Sequence, residues 1–125
     1  MNYLKIELSQ LNDLKKLLGK KIAISGIIGK IRTGKFRNGH LYSILELTDK
    51  VSSFEFCFIG VDYLSFHEIL IEGQSVELMC SIAESLWQPG EIYIKYIAIS
   101  DDTKTLERIT DDEVLNAKIQ SIFYK

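Results

Sequence analysis

The sequence predicts an all-β domain with accessory helices, and three observations carry that expectation. Apolar and β-branched residues recur at period two in runs over 21–32, 40–48, 53–59, 74–84 and 91–99, the spacing that lets a strand bury one face. Turn-forming pairs separate the runs, Asn38-Gly39 after the first and Pro89-Gly90 before the last. One stretch of helical spacing, Asp62 to Ile71, falls between the third and fourth runs.

Met1 to Leu8 reads as a short extended segment in which Tyr3, Leu4, Ile6 and Leu8 alternate loosely. Ser9 is placed to cap a short helix through Leu18, with Leu11, Leu14, Leu17 and Leu18 at helical spacing and Gly19 ending it. In the first long strand Ile22 and Ile24 lead to Ile27, Ile28 and Ile31, so the pattern slips by one residue around Gly26. A slip at a glycine predicts a bulge, which bends the strand and lets it serve two sides of a curled sheet. Asn38-Gly39 predicts a two-residue hairpin turn with positive φ at both positions.

The second strand, His40 to Thr48, is joined to the third, Ser53 to Ile59, through Asp49-Lys50-Val51-Ser52. Phe54, Phe56 and Phe58 share one face of the third strand, against Glu55 and Cys57 on the other. The phenylalanines suit a core, with a base-stacking platform as the alternative, given what large rings bury. The face of Tyr42 stays open, because Leu41, Leu45 and Leu47 compete for the inside.

Asp62 is placed to cap the middle helix, which buries Leu64, Leu70 and Ile71 and stops at Gly73. The fourth strand puts Val76, Leu78, Cys80 and Ile82 on one face; Gln88-Pro89-Gly90-Glu91 makes a type II turn into the fifth. Residues 101–110 read as a polar connector, and Asp111 or Asp112 caps a final helix with an apolar stripe of Val114, Leu115, Ile119, Ile122 and Phe123. That stripe fits docking on the barrel, or an unfilled partner site.

Three strands, a helix and two strands, the first bulged, is the order of the OB-fold, a five-stranded Greek-key barrel that binds oligonucleotides across its second and third strands and flanking loops. The expected layout is an N-terminal segment and short helix over 1–20, the barrel over 21–100, and an acidic connector with a C-terminal helix over 101–125.

The chain has 125 residues, 46% hydrophobic and 26% charged, with a net charge of −2, ordinary values for a single soluble domain. No apolar run is long enough to span a bilayer, and Lys5 and Glu7 break any signal-like stretch at the start; no membrane and a cytoplasmic location are expected. Cys57 and Cys80 are expected to be small buried hydrophobes kept reduced.

Negative net charge counts against an autonomous nucleic-acid binder, but the charge is unevenly distributed. Between Leu14 and Leu45 stand eight Lys or Arg and no acid, whereas 101–113 holds six acids against Lys104 and Arg108. A positive face is therefore expected, with merely segregated surface charge as the alternative. Around the first hairpin Lys30, Arg32, Lys35 and Arg37 gather with Phe36, His40 and Tyr42 between and just beyond them, and Trp87 stands beside the 88–91 turn. Cations interleaved with flat rings suit a phosphate backbone with stacked bases. These eight residues are the candidate nucleic-acid site, with the 33–39 loop and the 85–90 turn as its two lips.

Catalytic and metal chemistry has no foothold in the pattern. Cys57, His67 and Cys80 lie at irregular gaps, His40 is alone, and no Gly-x-Ser-x-Gly, phosphate-cradling glycine loop or Cys-His pairing occurs. His67 reads as a structural histidine on the middle helix. No cofactor, metal or catalytic residue is expected in this chain.

The runs Leu18-Gly-Lys-Lys-Ile-Ala-Ile-Ser-Gly-Ile-Ile, Thr33-Gly-Lys with Asn38-Gly, Leu45-Glu-Leu-Thr-Asp, Ser53-Phe-Glu-Phe-Cys-Phe and Leu70-Ile-Glu-Gly-Gln resemble the OB domain near the C-terminal end of the bacterial DNA polymerase III alpha subunit. They are similar, less closely, to the anticodon-binding OB domain of class II aminoacyl-tRNA synthetases. The resemblance covers about residues 10 to 100 through short motifs. It departs at Lys50-Val51-Ser52, where the family has a glycine, and at Lys35-Phe36-Arg37, where it is richer in lysine. It implies a fragment of a DNA-directed DNA polymerase used in DNA replication, whose catalytic carboxylates lie elsewhere. Single-stranded DNA template would meet Lys35 and Arg37, and other domains or subunits of the polymerase would be partners. A protein-interaction barrel within a replication complex and a tRNA anticodon-binding module are the alternatives.

Overall fold

The computed structural model describes residues 3–84, 91–100 and 104–123, with side chains as far as Gln120. The chain is a mostly antiparallel OB-like barrel with accessory helices. Its strands are β1 (Leu4–Ile6), β2 (Lys21–Lys35), β3 (Leu41–Thr48), β4 (Ser53–Ile59), β5 (Ser75–Ile82), β6 (Ile92–Ile99) and β7 (Thr105–Glu107). They follow the order β4-β3-β2-β5-β6-β7, with β1 parallel to β2 off that path. Strands β2 to β6 are the five expected runs.

The long strand β2 makes the barrel curl. Its first half pairs with β5, from Lys21↔Ser81 to Ile27↔Ser75, and its second half with β3, from Ile27↔Thr48 to Lys35↔Leu41. Gly26 stands where the partner changes, and a Cβ there would lie 2.8 Å from both the Leu47 side chain and the Thr48 carbonyl oxygen. The bulge itself is not at Gly26. Three steps on β2 from Ile28 to Ile31 oppose two on β3 from Leu47 to Leu45, so the extra residue falls in Gly29-Lys30. Ile22, Ile24 and Ile28 stay in phase and buried, whereas Ile27 is 49% exposed; it was the outward Ile27 that mimicked a slip.

The inward rows of β2 to β6 form the core, including Ile24, Leu45, Leu47, Phe58, Leu78 and Ile82. Phe56 and Phe58 are buried and Phe54 packs on them from the rim, which settles the phenylalanine row as core. Cys80 is buried, and burial pushes its thiol up to about 12. Cys57, on the other face, is exposed rather than buried, and both cysteines are free thiols. The sheet is not hydrogen-bonded between β4 and β6 among the described residues, the partly open form of this barrel.

Helical boundaries depart from expectation. The N-terminal helix is 3-10, Leu8–Leu17, broken at Asp13, and begins at Glu7, whose N–H donates to Gln10 Oε1 at 2.8 Å; Ser9 lies inside it. The middle helix, α1 (Val61–Phe66), is preceded by Gly60 at φ +60 rather than capped by Asp62, and continues as a 3-10 turn, His67–Ile69. Ile71 lies beyond it and is 57% exposed. His67 is structural as expected: its ring stacks on Tyr63 and its Nδ1 lies 3.0 Å from the Tyr63 carbonyl. The 101–110 connector contains β7, paired with β6 through Ile97↔Leu106. Three residues with one apolar side chain leave no periodicity to read.

The last helix, α2 (Asp112–Phe123), is capped by Asp111, whose Oδ1 accepts from the N–H groups of Glu113 (2.8 Å) and Val114 (3.2 Å). Leu115 and Ile119 are half-buried, Val114 is exposed, and Lys118 bonds Glu68 at 2.9 Å. The helix docks on the α1 side of the barrel. Among the described residues no helix is long and apolar enough to cross a membrane.

Candidate nucleic-acid interface

The hairpin between β2 and β3 closes as a three-residue loop. Phe36 N–H donates to the His40 carbonyl at 2.8 Å, and Gly39 N–H to the Phe36 carbonyl at 2.9 Å. Gly39 has φ +89, whereas Asn38 does not enter the left-handed region. Asn38 instead accepts the His40 N–H on Oδ1 at 3.0 Å. One positive-φ glycine after a turn is the three-residue form of the hairpin, not the two-residue form that Asn-Gly predicts.

Register then decides which side chains share a face. Directly opposed residues in a ladder point the same way, so Ile31/Leu45/Phe56 and Thr33/Ser43/Phe58 face inward. Thr33 Oγ1 and Ser43 Oγ lie 3.1 Å apart, satisfying the buried Ser43 hydroxyl. The outer face therefore carries Gly34/Tyr42/Ile59 in one row, Arg32/Ile44/Cys57 in the next, and Glu46/Glu55 in a third.

Tyr42 thus points outward, and its ring crosses over Gly34. Any Cβ at Gly34 would strike the ring and its hydroxyl. Phe36 stacks on the same ring, with centroids 4.6 Å apart and planes tilted by 36°. Phe36 is 41% and Ile59 48% exposed, so the outer face near the hairpin is an aromatic and aliphatic platform open to solvent.

The cations do not form one face. Lys15, Lys16, Lys20 and Lys21 stand at one end of β2, where Lys21 opposes Ser81, while Lys30, Arg32, Lys35 and Arg37 stand toward the other. Even the second group divides. Arg32 lies on the outer face and donates to Glu55 Oε2 at 3.1 Å. Lys35 opposes Leu41 and so belongs to the opposite face from Phe36 and Tyr42. Lys30 is exposed in the bulge and Arg37 exposed at the loop tip. His40 is exposed and, with Leu41, Val61, Leu64, Leu115 and Ile119, lines a cavity of about 140 Å³ beside α1 and α2. Trp87 and the 85–90 lip lie outside the described residues.

Gly34, Ile44, Glu55 and Ile59 belong to this surface although they were not among the expected contacts. The signal was present: the four-residue turn Asp49–Ser52 pairs Thr48 with Ser53, and with the phenylalanines inward that register turns Tyr42 and Ile59 outward. Asp49 fixes the turn, accepting on Oδ1 from the N–H groups of Val51 and Ser52 at 2.8 Å and on Oδ2 from Leu8 N–H at 3.3 Å. Those donors, Val51 and Ser52 foremost, hold its carboxyl below the usual carboxylate range. In the first turn of α1, burial raises the Asp62 carboxyl, partly offset by Arg108, whose Nε is 3.5 Å away without forming a hydrogen bond. Among the described residues no three His, Cys, Asp or Glu side chains gather as a metal site.

Solved structures resemble this arrangement. A candidate nucleic-acid-binding lipoprotein from Klebsiella pneumoniae subsp. pneumoniae aligns at TM-score 0.52 and 16% identity, over 78% of this chain and 91% of its own. RecG, in its complex with a three-way DNA junction, aligns at TM-score 0.51 and 16% identity over 97% of this chain; the chain spans 17% of RecG. The likeness is one of fold. No protein-family model matches the chain, and no curated protein matches it in sequence.

Proposed function

We propose that this chain binds single-stranded nucleic acid, DNA first, on the outer face of β2, β3 and β4 beside the hairpin. The observation that carries the reading is the Tyr42 ring laid over Gly34 and stacked by Phe36. Exposed Phe36, backed by the half-buried Tyr42 ring, offers bases a stacking surface worth about 1–3 kcal/mol per base. Exposed Lys30 and Arg37 supply the phosphate contacts. Two structures of the same fold support the reading, one described as a nucleic-acid-binding candidate and one held with a DNA junction.

The sequence resemblance supports a place within a bacterial replicative polymerase, where the rest of the enzyme would deliver the strand. The test is fluorescence anisotropy of labelled single-stranded DNA and RNA titrated with the chain at several salt concentrations. Wild type should bind in a salt-sensitive way, and the Phe36→Ala/Tyr42→Ala double variant should lose most of the affinity. Absence of binding at low salt, or binding indifferent to both substitutions, overturns the reading. A protein-interaction barrel is the second reading, favoured by the opposed carboxylates Glu46 and Glu55 on the same face; it predicts no salt-dependent DNA binding.

A further inference from the structure

Resting on that reading, we infer that Arg32 and Glu55 together read the Watson–Crick edge of a guanine stacked beside Tyr42, so that the preferred ligand is a guanine-containing single strand. Arg32 and Glu55 come from β2 and β4 and meet across β3 at 3.1 Å. Arg32 stands one outer-face row from Gly34 and Tyr42, about 7 Å along the strands. Half-buried Ile44 lies in the Arg32 row, forming an apolar floor between the ring and the pair. A base that packs on Ile44 beside the Tyr42 ring turns an edge toward Arg32 and Glu55.

The charges say which part of the strand belongs there. Glu55 directly opposes Glu46, and among the described residues its side-chain partner is Arg32. Two carboxylates with one guanidinium repel a phosphate, so this part of the face suits bases rather than backbone. Carboxylate oxygens only accept hydrogen bonds, and arginine only donates. Guanine alone among the bases presents two neighbouring N–H donors, at N1 and N2, beside an acceptor at O6. The N1 and N2 hydrogens fit the two oxygens of Glu55, and O6 fits an Arg32 N–H. Single-stranded bases expose that edge, whereas a duplex hides it.

The test uses the whole chain and a labelled thymidine 12-mer carrying one central deoxyguanosine, deoxyinosine or deoxyadenosine, read by anisotropy. Deoxyinosine lacks the N2 amine and isolates that contact. Wild type should prefer the guanine strand about tenfold over the other two, the scale of a good bidentate base contact. Glu55→Gln should remove the preference while Glu46→Gln keeps it, with circular dichroism showing both variants folded. Binding to every strand with equal affinity overturns the guanine inference and leaves the general reading standing. A preference that survives Glu55→Gln also overturns it. Failure to bind any strand overturns the reading beneath it.

Discussion

Gly34→Ala isolates the aromatic platform from the stability of the barrel. Gly34 is not among the positive-φ glycines, so an alanine fits the backbone and its nearest conflict is with the far end of the Tyr42 side chain. The ring lifts off β2 and the stack on Phe36 opens. Loss of that aromatic pair costs about 0.5–1.5 kcal/mol, and replacing glycine in the unfolded chain returns about 0.4–1 kcal/mol. Stability should therefore change by less than about 1 kcal/mol. Binding should respond far more, because a base loses its flat partner: about 1–3 kcal/mol, roughly 5- to 150-fold in Kd. Urea unfolding and anisotropy with single-stranded DNA give the two numbers, and Tyr42→Ala supplies the cycle. In the Tyr42→Ala background Gly34→Ala should do nothing further to affinity. Wild-type affinity in Gly34→Ala, or an added loss in the double variant, would refute the platform.

Other substitutions test the frame that holds the face. Gly26→Ala forces a Cβ against Leu47 and the Thr48 carbonyl at 2.8 Å and should cost about 1–3 kcal/mol, seen as a lower urea midpoint; an unchanged midpoint removes the close-approach argument. Asp49→Ala should lower Tm at neutral pH. Because the Asp49 carboxyl sits below its ordinary value, its contribution is present above about pH 4 and lost as pH falls through the folded-state value. The Tm gap should close in acid, and a gap independent of pH counts against the turn assignment. Asp62 works in the opposite sense: its carboxyl is raised chiefly by burial, so the folded state is penalised above that value and relieved as pH falls toward the ordinary one. Asp62→Asn should raise Tm near neutrality by an amount that shrinks toward pH 4, and a uniform loss would show that the Arg108 contact outweighs burial.

Which of these features could be read in the chain follows from how far each depends on distant partners. The five long strands carry enough alternating residues to declare themselves, and β4 sorts Phe54, Phe56 and Phe58 from Glu55 and Cys57 without any partner. Strands β1 and β7 have three residues each, and only pairing with β2 and β6 makes them strands. Bulge position is likewise a property of two strands: Ile27 looks like a slip in β2 alone and proves to be an outward residue once Thr48 is opposite it. Loop chemistry was half readable. Gly39 adopts the left-handed conformation that Asn-Gly announces, while Asn38 serves as an acceptor for His40 instead. The site was read by residue type, which found the rings and cations but could not assign Lys35 and Tyr42 to opposite faces. Gly34 escaped because a missing side chain matters only when something lies on it.

The division of the cations bears on how a strand with a phosphate backbone could use a protein of net charge −2. Four hairpin cations read as one cluster imply a log-log salt slope near −2.8, at about −0.7 per single-strand phosphate neutralised. The fold argues for fewer. Arg32 is matched by Glu55 at 3.1 Å, and Lys35 shares the face of Leu41 rather than that of the rings. Lys30 in the bulge and Arg37 at the loop tip remain exposed, which gives a slope of about −1.4. A shallow slope with strong dependence on Phe36 and Tyr42 would mean that bases, not phosphates, carry the affinity, consistent with an acidic pair in the middle of the face. A slope near −2.8 would require Arg32 to leave Glu55 for a phosphate, and would remove the guanine-reading pair together with the two-cation arithmetic.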